Sequence, residues 1–192
     1  MNTIDTLLER RSAKTLTDPA PDDGALDLLL ACAARAPDHG RLRPWRFIVI
    51  RGAARESLGE LMAGQLRRKL PAASAEAVQR ERQKALRAPL IIAVAAVCDP
   101  AARIPAIEQI LAAGAAAQNI MLAAPALGFG AMWKTGDAAY DDTVKAALGL
   151  DARDTIVGFL YLGTAPADAV ARPARADWRD RVSYWREASG AG

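Results

Sequence analysis

Two short segments of this chain place cationic and hydroxyl side chains where a helix is predicted to end. The first is Arg10–Lys14, with the sequence RRSAK, and the second is Arg35–Trp45, with the sequence RAPDHGRLRPW. The guanidinium of Arg offers a planar pair of donors that matches phosphate oxygens, and a Ser hydroxyl adds a short donor. Neither segment is needed to build a core. Together they predict two parts of a pocket for a phosphorylated, planar ligand with polar edges.

Each segment also has a purely structural interpretation. Arg10 and Arg11 would complement the partial negative charge at the C-terminus of a helix. His39 is the only histidine of the sequence and could be a surface or structural residue. It cannot form a metal site, because no second His and no nearby Cys pair accompany it. From the residues alone, the ligand-binding and structural alternatives both stay open.

A third segment, Gly128–Lys134 with the sequence GFGAMWK, contains two closely spaced glycines. A dinucleotide-binding fingerprint needs a strand before the glycines and a helix after them. Here the predicted order is helix, glycine, strand, so we reject a Rossmann site. Trp133 would be either a core residue or a wall on which a ligand ring stacks.

Other reactive side chains form no recognisable catalytic group. Cys32 and Cys98 lack partners for nucleophilic catalysis. The carboxylates of Asp38, Glu108 and Asp137 are isolated in the sequence, and we expect each to be solvated or to cap a helix.

Hydrophobic periodicity predicts the elements that must position these segments. Helices are predicted at 3–11, from 22 or 23 to 36, at 53–70, 105–127 and 141–148, and strands at 47–50, 90–98, 129–134 and 155–162. Residues 72–87 are rich in Ala, Gln and charge, and we expect a solvated helix or a mobile flap there. Strands interleaved with helices predict an α+β or α/β sandwich built on one sheet, in a single domain over residues 1–192.

Composition narrows the class of function. The chain has 25 basic and 22 acidic residues, a net charge of +3, and only 5% aromatic residues, whereas a nucleic-acid-binding protein more often has a basic face with interleaved aromatics. The longest apolar run, 90–98, is too short to span a bilayer, and the first residues do not resemble a signal peptide. Two cysteines in apolar contexts indicate a reduced compartment. We therefore expect a cytoplasmic protein that binds a small anionic ligand.

Four motifs, in order, resemble those of the flavin-dependent nitroreductase family. They are Arg10-Arg11-Ser12, Ala36–His39 leading to Pro44-Trp45, Gly128–Gly130 leading to Trp133, and Gly158–Thr164. Each motif alone is weak, but all four have the right order and spacing from about Ile4 to Thr164. The resemblance, to a short branch of the family, implies an α+β three-layer sandwich with a central, mostly antiparallel sheet flanked by helices. It also implies a homodimer with FMN at the subunit interface.

The resemblance implies which residues bind the phosphate-bearing side of the cofactor. Arg10, Arg11 and Ser12 would bind the FMN phosphate and the ribityl chain. Lys14 would contact the pyrimidine edge of the flavin, where a fixed cation would stabilise the negative charge of the reduced ring.

The remaining contacts implied by the resemblance come from two other segments. Arg35 and His39 would reach the same flavin from the other subunit. Met132, Trp133 and Lys134 would line its remaining side. No side chain need act as a catalytic nucleophile, because the chemistry would be centred on the flavin.

The implied activity is that of an FMN-dependent NAD(P)H oxidoreductase. Hydride would pass from the nicotinamide to flavin N5 and then to a nitroaromatic, quinone or similar small acceptor, in a ping-pong mechanism. The alternatives are a flavin carrier or sensor, other flavin chemistry on the same scaffold, and a nucleic-acid-binding module that rests only on a pI near 9.1.

One feature of larger family members is not recognisable in this sequence. They carry a Lys/Arg pair near the C-terminus for the phosphate, and here only Arg172, Arg175 and Arg179 are candidates. The acceptor, the preference for NADH or NADPH, and the roles of the 72–87 segment and of the C-terminal tail are not indicated by the sequence.

Overall fold

A computed structural model describes residues 2–166 and 177–185 of the chain. Its helices are α1 (Thr3–Glu9), α2 (Asp23–Ala33), α3 (Ala53–Lys69), α4 (Ala75–Lys84), α5 (Ala106–Ala126) and α6 (Asp142–Ala147). Its strands are β1 (Trp45–Arg51), β2 (Leu90–Ala96), β3 (Gly130–Lys134) and β4 (Thr155–Gly163). The predicted helices and strands are confirmed to within a few residues at their ends.

The four strands form one sheet in the order β1-β2-β4-β3, and every neighbouring pair is antiparallel. All seven residues of β2 are buried. This burial explains why its sequence is continuously apolar, since helices cover both faces of this central strand.

Helices cover both faces of the sheet and produce three layers. On one face Leu58 and Met62 of α3 pack with Ile91 and Phe159. On the opposite face, α2 and α5 cover the alternate residues of β2 and β4, and these contacts involve Leu29, Ile120, Ile92, Val94 and Leu160. The predicted α+β three-layer sandwich is confirmed.

Helix α4 confirms one of the two alternatives expected for the 72–87 segment, because the segment forms a helix in which only Val78 is fully buried. The helix packs on α3, where a Cβ added at Gly59 would lie only 2.6 Å from the carbonyl oxygen of Arg82. Val78 and Ala85 are buried beneath it. Arg82 also pairs with Glu60, and this hydrogen bond lowers the pKa of the Glu60 carboxyl. The segment needs no broad apolar stripe, because a glycine lets the two backbones approach directly.

Helix α5 ends in a glycine-dependent turn that leads into β3. The N–H of Gly128 donates to the carbonyl of Pro125, and the N–H of Phe129 donates to the carbonyl of Ala124 at 2.9 Å. This is the pattern of a Schellman motif, which requires the left-handed φ of +86° that Gly128 adopts. The order helix, glycine, strand is therefore confirmed.

The segment after α1 lies along the edge strand β3. The N–H of Ala13 donates to the carbonyl of Ala131 at 3.0 Å. Further along, Thr17 and Thr164 exchange two backbone hydrogen bonds of 2.9 and 2.8 Å. The sheet thus fixes the backbone on both sides of Lys14.

In the described ranges, no helix is both long and apolar enough to cross a membrane.

Candidate functional site

A cleft lies where α1 ends beside the turn between α5 and β3. Its walls include Arg10, Arg11, Pro125, Gly128 and Gly130, and its volume is about 250 Å³. Arg10 is the C-terminal cap of α1 and has extended backbone dihedrals, so the chain leaves the helix there and turns toward β3. Sites for drug-sized ligands usually occupy about 300–1,000 Å³. The cleft of one chain is therefore smaller than a complete site of that kind.

The cations at this cleft are not neutralised by neighbouring carboxylates. Arg10 and Arg11 line the cleft and form no ion pair with any residue in the described part of the chain, although Glu9 also lines it; the exposed Lys14, outside the lining, is likewise unpaired among those residues. Ala13 lines the cleft and its backbone is anchored to β3, whereas Ser12 and Lys14 on either side of it are exposed and lie next to the cleft lining rather than in it. Unpaired cations beside a hydroxyl on a fixed backbone suit an anionic ligand.

The three residues predicted from β3 differ in what they offer a ligand. Met132 is buried in the core beside Tyr161, so its side chain does not line the cleft. The indole N–H of Trp133 donates to the carbonyl of Val157 at 3.2 Å. Lys134 is exposed at the end of the strand. We conclude that Met132 can contact a ligand only through its backbone, whereas Lys134 presents a charge.

Trp133 is half-buried and packs directly on the neighbouring strand. A Cβ added at Gly158 would lie 2.1 Å from the indole nitrogen. The hydrogen bond and this close packing hold the ring in place, so the structural role that the sequence left open for Trp133 is observed. Trp133 as a whole is still partly solvent-accessible.

The second predicted segment forms a tightly turned loop before β1. The carboxylate of Asp38 accepts a hydrogen bond from the N–H of Arg43 at 2.7 Å. Gly40, Arg41 and Arg43 have φ values of +73°, +56° and +51°. Positive φ is uncommon for residues other than glycine, and such conformations concentrate at functional sites. The loop therefore holds its side chains in a strained and specific arrangement.

Exposed cations line this loop. Arg35, Arg41 and Arg43 are exposed and form no ion pair with another described residue. Arg35 and His39 are among the predicted site residues, whereas Arg41 and Arg43 are not. Their place in the same Pro- and Gly-containing segment is a signal that could have identified them.

The imidazole of His39 pairs with a carboxylate that was expected to be isolated. Its Nδ1 lies 2.7 Å from Oε2 of Glu108, in the first turn of α5. Asp137 likewise pairs with Lys69 at 2.6 Å. Glu108 and Asp137 are both solvent-exposed, as expected, but each also has a side-chain partner that the sequence did not indicate. Their partners are far away in the sequence.

The two predicted segments lie at opposite ends of α5. His39 contacts Glu108 at the start of the helix, whereas Arg10 lines a cleft with Pro125 near its end. At a rise of 1.5 Å per residue, these two helix positions are separated by roughly 25 Å. One chain therefore does not bring Arg10 and His39 into one pocket.

Buried titratable groups do not provide an alternative catalytic centre. Burial, with a smaller contribution from Asp154, raises the pKa of the Cys98 thiol. Burial also raises the pKa of Tyr161 to about 12. Both groups therefore stay protonated near neutral pH and do not act as a nucleophile or base there. No cluster of His, Cys, Asp or Glu within the described ranges could hold a metal ion.

The chain matches a known protein family and several known proteins. The model of the nitroreductase family matches residues 7–164. The chain is 39% identical over 170 residues to the Escherichia coli K12 protein named "Putative NAD(P)H nitroreductase YdjA", covering 85% of this chain and 88% of that protein. The chain belongs to the nitroreductase family.

Solved structures agree with this assignment to the nitroreductase family. A "Nitroreductase-like Family Protein" from Bacillus cereus has a TM-score of 0.82 and 28% identity, covering 96% of each chain. A nitroreductase from Desulfovibrio desulfuricans, solved in complex with FMN, has a TM-score of 0.73 and 28% identity. It covers 97% of this chain and 98% of that one. The nitroreductase fold predicted from the four motifs is thus confirmed.

The candidates for a C-terminal phosphate ligand divide into two groups. Arg172 and Arg175 lie outside the described residues. Arg179 is exposed, pairs with Asp177 at 3.1 Å and lies 5.2 Å from the ring centroid of Trp178. Its guanidinium is therefore already engaged by an anion and an aromatic face.

Proposed function

We propose that this nitroreductase is an FMN-dependent NAD(P)H oxidoreductase. The observation that carries the proposal is the cleft in which Arg10 and Arg11 lie unpaired beside a left-handed glycine turn. This proposal is supported by family membership and by the FMN reported in the Desulfovibrio desulfuricans relative. When bound, FMN accepts hydride from a reduced nicotinamide and passes it to a small acceptor such as a nitroaromatic or a quinone.

The residues that line the cleft or flank its lining fit a phosphorylated flavin. Arg10, Arg11 and Ser12 hold the phosphate and ribityl chain, because guanidinium and hydroxyl donors form short, charge-assisted hydrogen bonds to phosphate oxygens. Lys14 stabilises negative charge at the pyrimidine edge of the flavin. The anchoring of Ala13 to β3 supports these roles, since a fixed backbone limits where the neighbouring side chains can reach.

The complete site belongs to a homodimer. The separation of Arg10 from His39 along α5 supports this proposal, because a single chain supplies only one part of the pocket. If α5 lies beside its copy in the opposite direction, the Arg10 end of one subunit meets the Arg35 and His39 end of the other.

Exposed apolar side chains support an interface along this path. In the single chain, Leu111 of α5 is 63% exposed, and Ile107 on the same helix is 59% exposed. In α1, Ile4 and Leu8 are also exposed. A contiguous patch of exposed apolar residues on a soluble protein often marks a surface that binds another protein.

No catalytic side chain is required beyond those that bind and orient. The protein binds the flavin, excludes competing chemistry and leaves room for nicotinamide and acceptor in turn, which is a ping-pong sequence. Lys134, exposed at the end of β3, and Trp133 line the remaining side.

The visible absorption spectrum of the purified protein tests this function. We expect flavin bands near 450 nm, typical of a bound oxidised flavin, that bleach on anaerobic addition of NADPH or NADH. Bands that persist with both nicotinamides would favour a flavin carrier. A protein that neither contains flavin nor binds added FMN would contradict the proposal.

A further inference from the structure

The contact between His39 and Glu108 joins two elements that are 69 residues apart in sequence. Its length of 2.7 Å is that of a charge-assisted hydrogen bond. The two side chains are 68% and 42% exposed, and exposed ion pairs contribute only about 0–1 kcal/mol to stability. The contact therefore adds little to fold stability. Its main effect is on the orientation and the tautomer of the His39 imidazole.

The carboxylate determines which nitrogen of the ring carries the proton. An ionised carboxylate only accepts hydrogen bonds, so Nδ1 of His39 must donate. In the neutral ring, Nε2 then has a free lone pair and is an acceptor. No other described residue forms a hydrogen bond with His39. The outer edge of the ring is thus an unused acceptor.

The surrounding loop fixes where this acceptor lies. A Cβ added at Gly40 would be 2.3 Å from Cδ1 of Ile104, so the loop rests directly on the segment that precedes α5. Asp38 holds the other end of the turn through the N–H of Arg43. His39 is therefore positioned both by its own loop and by the first turn of α5.

We propose that Glu108 is a positioning residue for ligand recognition, holding His39 as the Nδ1–H tautomer so that Nε2 accepts a hydrogen bond from the flavin. The donor on the flavin is a ribityl hydroxyl or the ring N–H. It is not the phosphate, because phosphate oxygens and a neutral Nε2 are both acceptors. This inference rests on the proposed function, since it takes His39 to face the flavin held chiefly by the other subunit.

The single histidine makes the tautomer directly measurable. Long-range ¹H–¹⁵N NMR spectra of the ¹⁵N-labelled protein, recorded at pH 8, should show the signals of one imidazole. We expect the Nδ1–H tautomer in the wild type without ligand and also with FMN. Glu108→Ala should lose this preference. Glu108→Gln should keep most of it, because the amide oxygen still accepts from Nδ1.

Flavin affinity links the tautomer to recognition. We expect Glu108→Ala to weaken the binding of FMN and of riboflavin alike, by about tenfold, the equivalent of one hydrogen bond. Glu108→Gln should restore most of the affinity. Glu76→Ala is the matched control, because Glu76 is an exposed acid in the first turn of α4. It should leave both the tautomer and the affinity unchanged.

Lumiflavin, which lacks the ribityl chain, identifies the donor. If Glu108→Ala still weakens the binding of lumiflavin, the donor to Nε2 is the ring N–H. If lumiflavin binds the variant and the wild type equally well, the donor is a ribityl hydroxyl. Either result supports the inference. A penalty seen with FMN but not with riboflavin would assign the phosphate instead and overturn it.

Two other results would also overturn the inference. One is the Nε2–H tautomer in the wild type, and the other is unchanged flavin affinity in Glu108→Ala. If the wild type binds flavin and Glu108→Ala binds it equally well, only the role of Glu108 fails. If the wild type binds no flavin, the proposed function fails with it.

Discussion

The two ends of helix α5 present cations in different ways. At the C-terminal end, the sheet carries the segment proposed to face the flavin, because Ala13 is hydrogen-bonded to β3 and Trp133 packs on Gly158. At the N-terminal end, a loop carries His39, and the loop is held by the Asp38 and Glu108 contacts and by left-handed residues. Changes at the first end should therefore alter both stability and ligand binding, whereas changes at the second should alter mainly ligand binding.

Breaking the proposed interface should separate the two parts of the FMN site. It should therefore weaken FMN binding more than the other changes considered below. Leu111→Asp places a charge on the exposed face of α5. We expect it to sediment as a monomer and to bind FMN more than a hundredfold more weakly, because burying an unpaired charge costs several kcal/mol. Its far-UV circular dichroism should be unchanged, since Leu111 is exposed in the single chain.

The matched control for this change is Leu70→Asp. Leu70 is also exposed and apolar, but it caps α3 on the opposite face of the sheet. It should remain dimeric and keep its flavin. A Leu111→Asp protein that stays dimeric, or a monomer that retains FMN, would contradict the two-subunit site.

Two glycine substitutions contrast the sheet-supported end with the loop. Gly158→Ala should displace Trp133 from Val157 and lower the free energy of unfolding by about 2–4 kcal/mol, through overpacking and a lost hydrogen bond. Gly40→Ala should disturb the left-handed loop and weaken FMN binding. It should change the urea midpoint much less than Gly158→Ala does.

Urea denaturation and flavin titration of both variants measure the contrast. If Gly40→Ala destabilises the fold as strongly as Gly158→Ala, the loop is part of the cooperative core. The difference drawn between the two ends would then be incorrect.

Removing one phosphate ligand should give an effect of about ten- to a hundredfold. Arg10→Ala deletes hydrogen bonds from a charged group, which contribute about 1.5–3 kcal/mol. Fluorescence titration with FMN measures the change in dissociation constant. Arg80→Ala, an exposed arginine on α4, is the control and should bind FMN like the parent. Equal flavin content in the Arg10→Ala protein would remove the phosphate assignment.

Ionisation of Tyr161, which lies beside Met132, should change the free energy of unfolding least among these predictions, and only at high pH. Burial raises the pKa of Tyr161 to about 12, from an ordinary value near 10. The unfolded chain therefore loses this proton first, and stability that is intact below pH 10 should fall by about 2 kcal/mol as the pH approaches 12.

Tyr161→Phe tests this pH dependence. The free energy of unfolding of Tyr161→Phe should fall less steeply between pH 10 and pH 12 than that of Tyr140→Phe, which changes an exposed tyrosine. Equal slopes in the two variants would show that the core around Tyr161, on the α3 face of the sheet, is open to solvent.

Much of the fold was predictable because its signals are local. The continuous apolar run at 90–98 predicted β2, and a glycine after a helix predicted the turn at Gly128. The packing of α4 was not predictable, because it depends on Gly59 meeting the backbone near Arg82 rather than on an apolar stripe.

The candidate site was predictable in its residue types but not in its layout. Arg10 and His39 were identified from motifs, but their positions at opposite ends of α5 require the folded chain. Glu108 was expected to be isolated because its partner is 69 residues away. Sequence alternation also did not indicate that the side chain of Met132 is buried.

The pairing of Thr17 with Thr164 determines when the site can form during synthesis. The two residues are 147 positions apart, so the segment that carries Arg10–Lys14 cannot dock until almost the whole domain has been translated. Closing so long a loop is a late event in folding. Until then the edge of β3 is unprotected, and exposed strand edges promote aggregation. On the proposed function, FMN would therefore bind only after Thr164 has been synthesised, and a nascent chain that stalls before Thr164 would expose that edge without its FMN site.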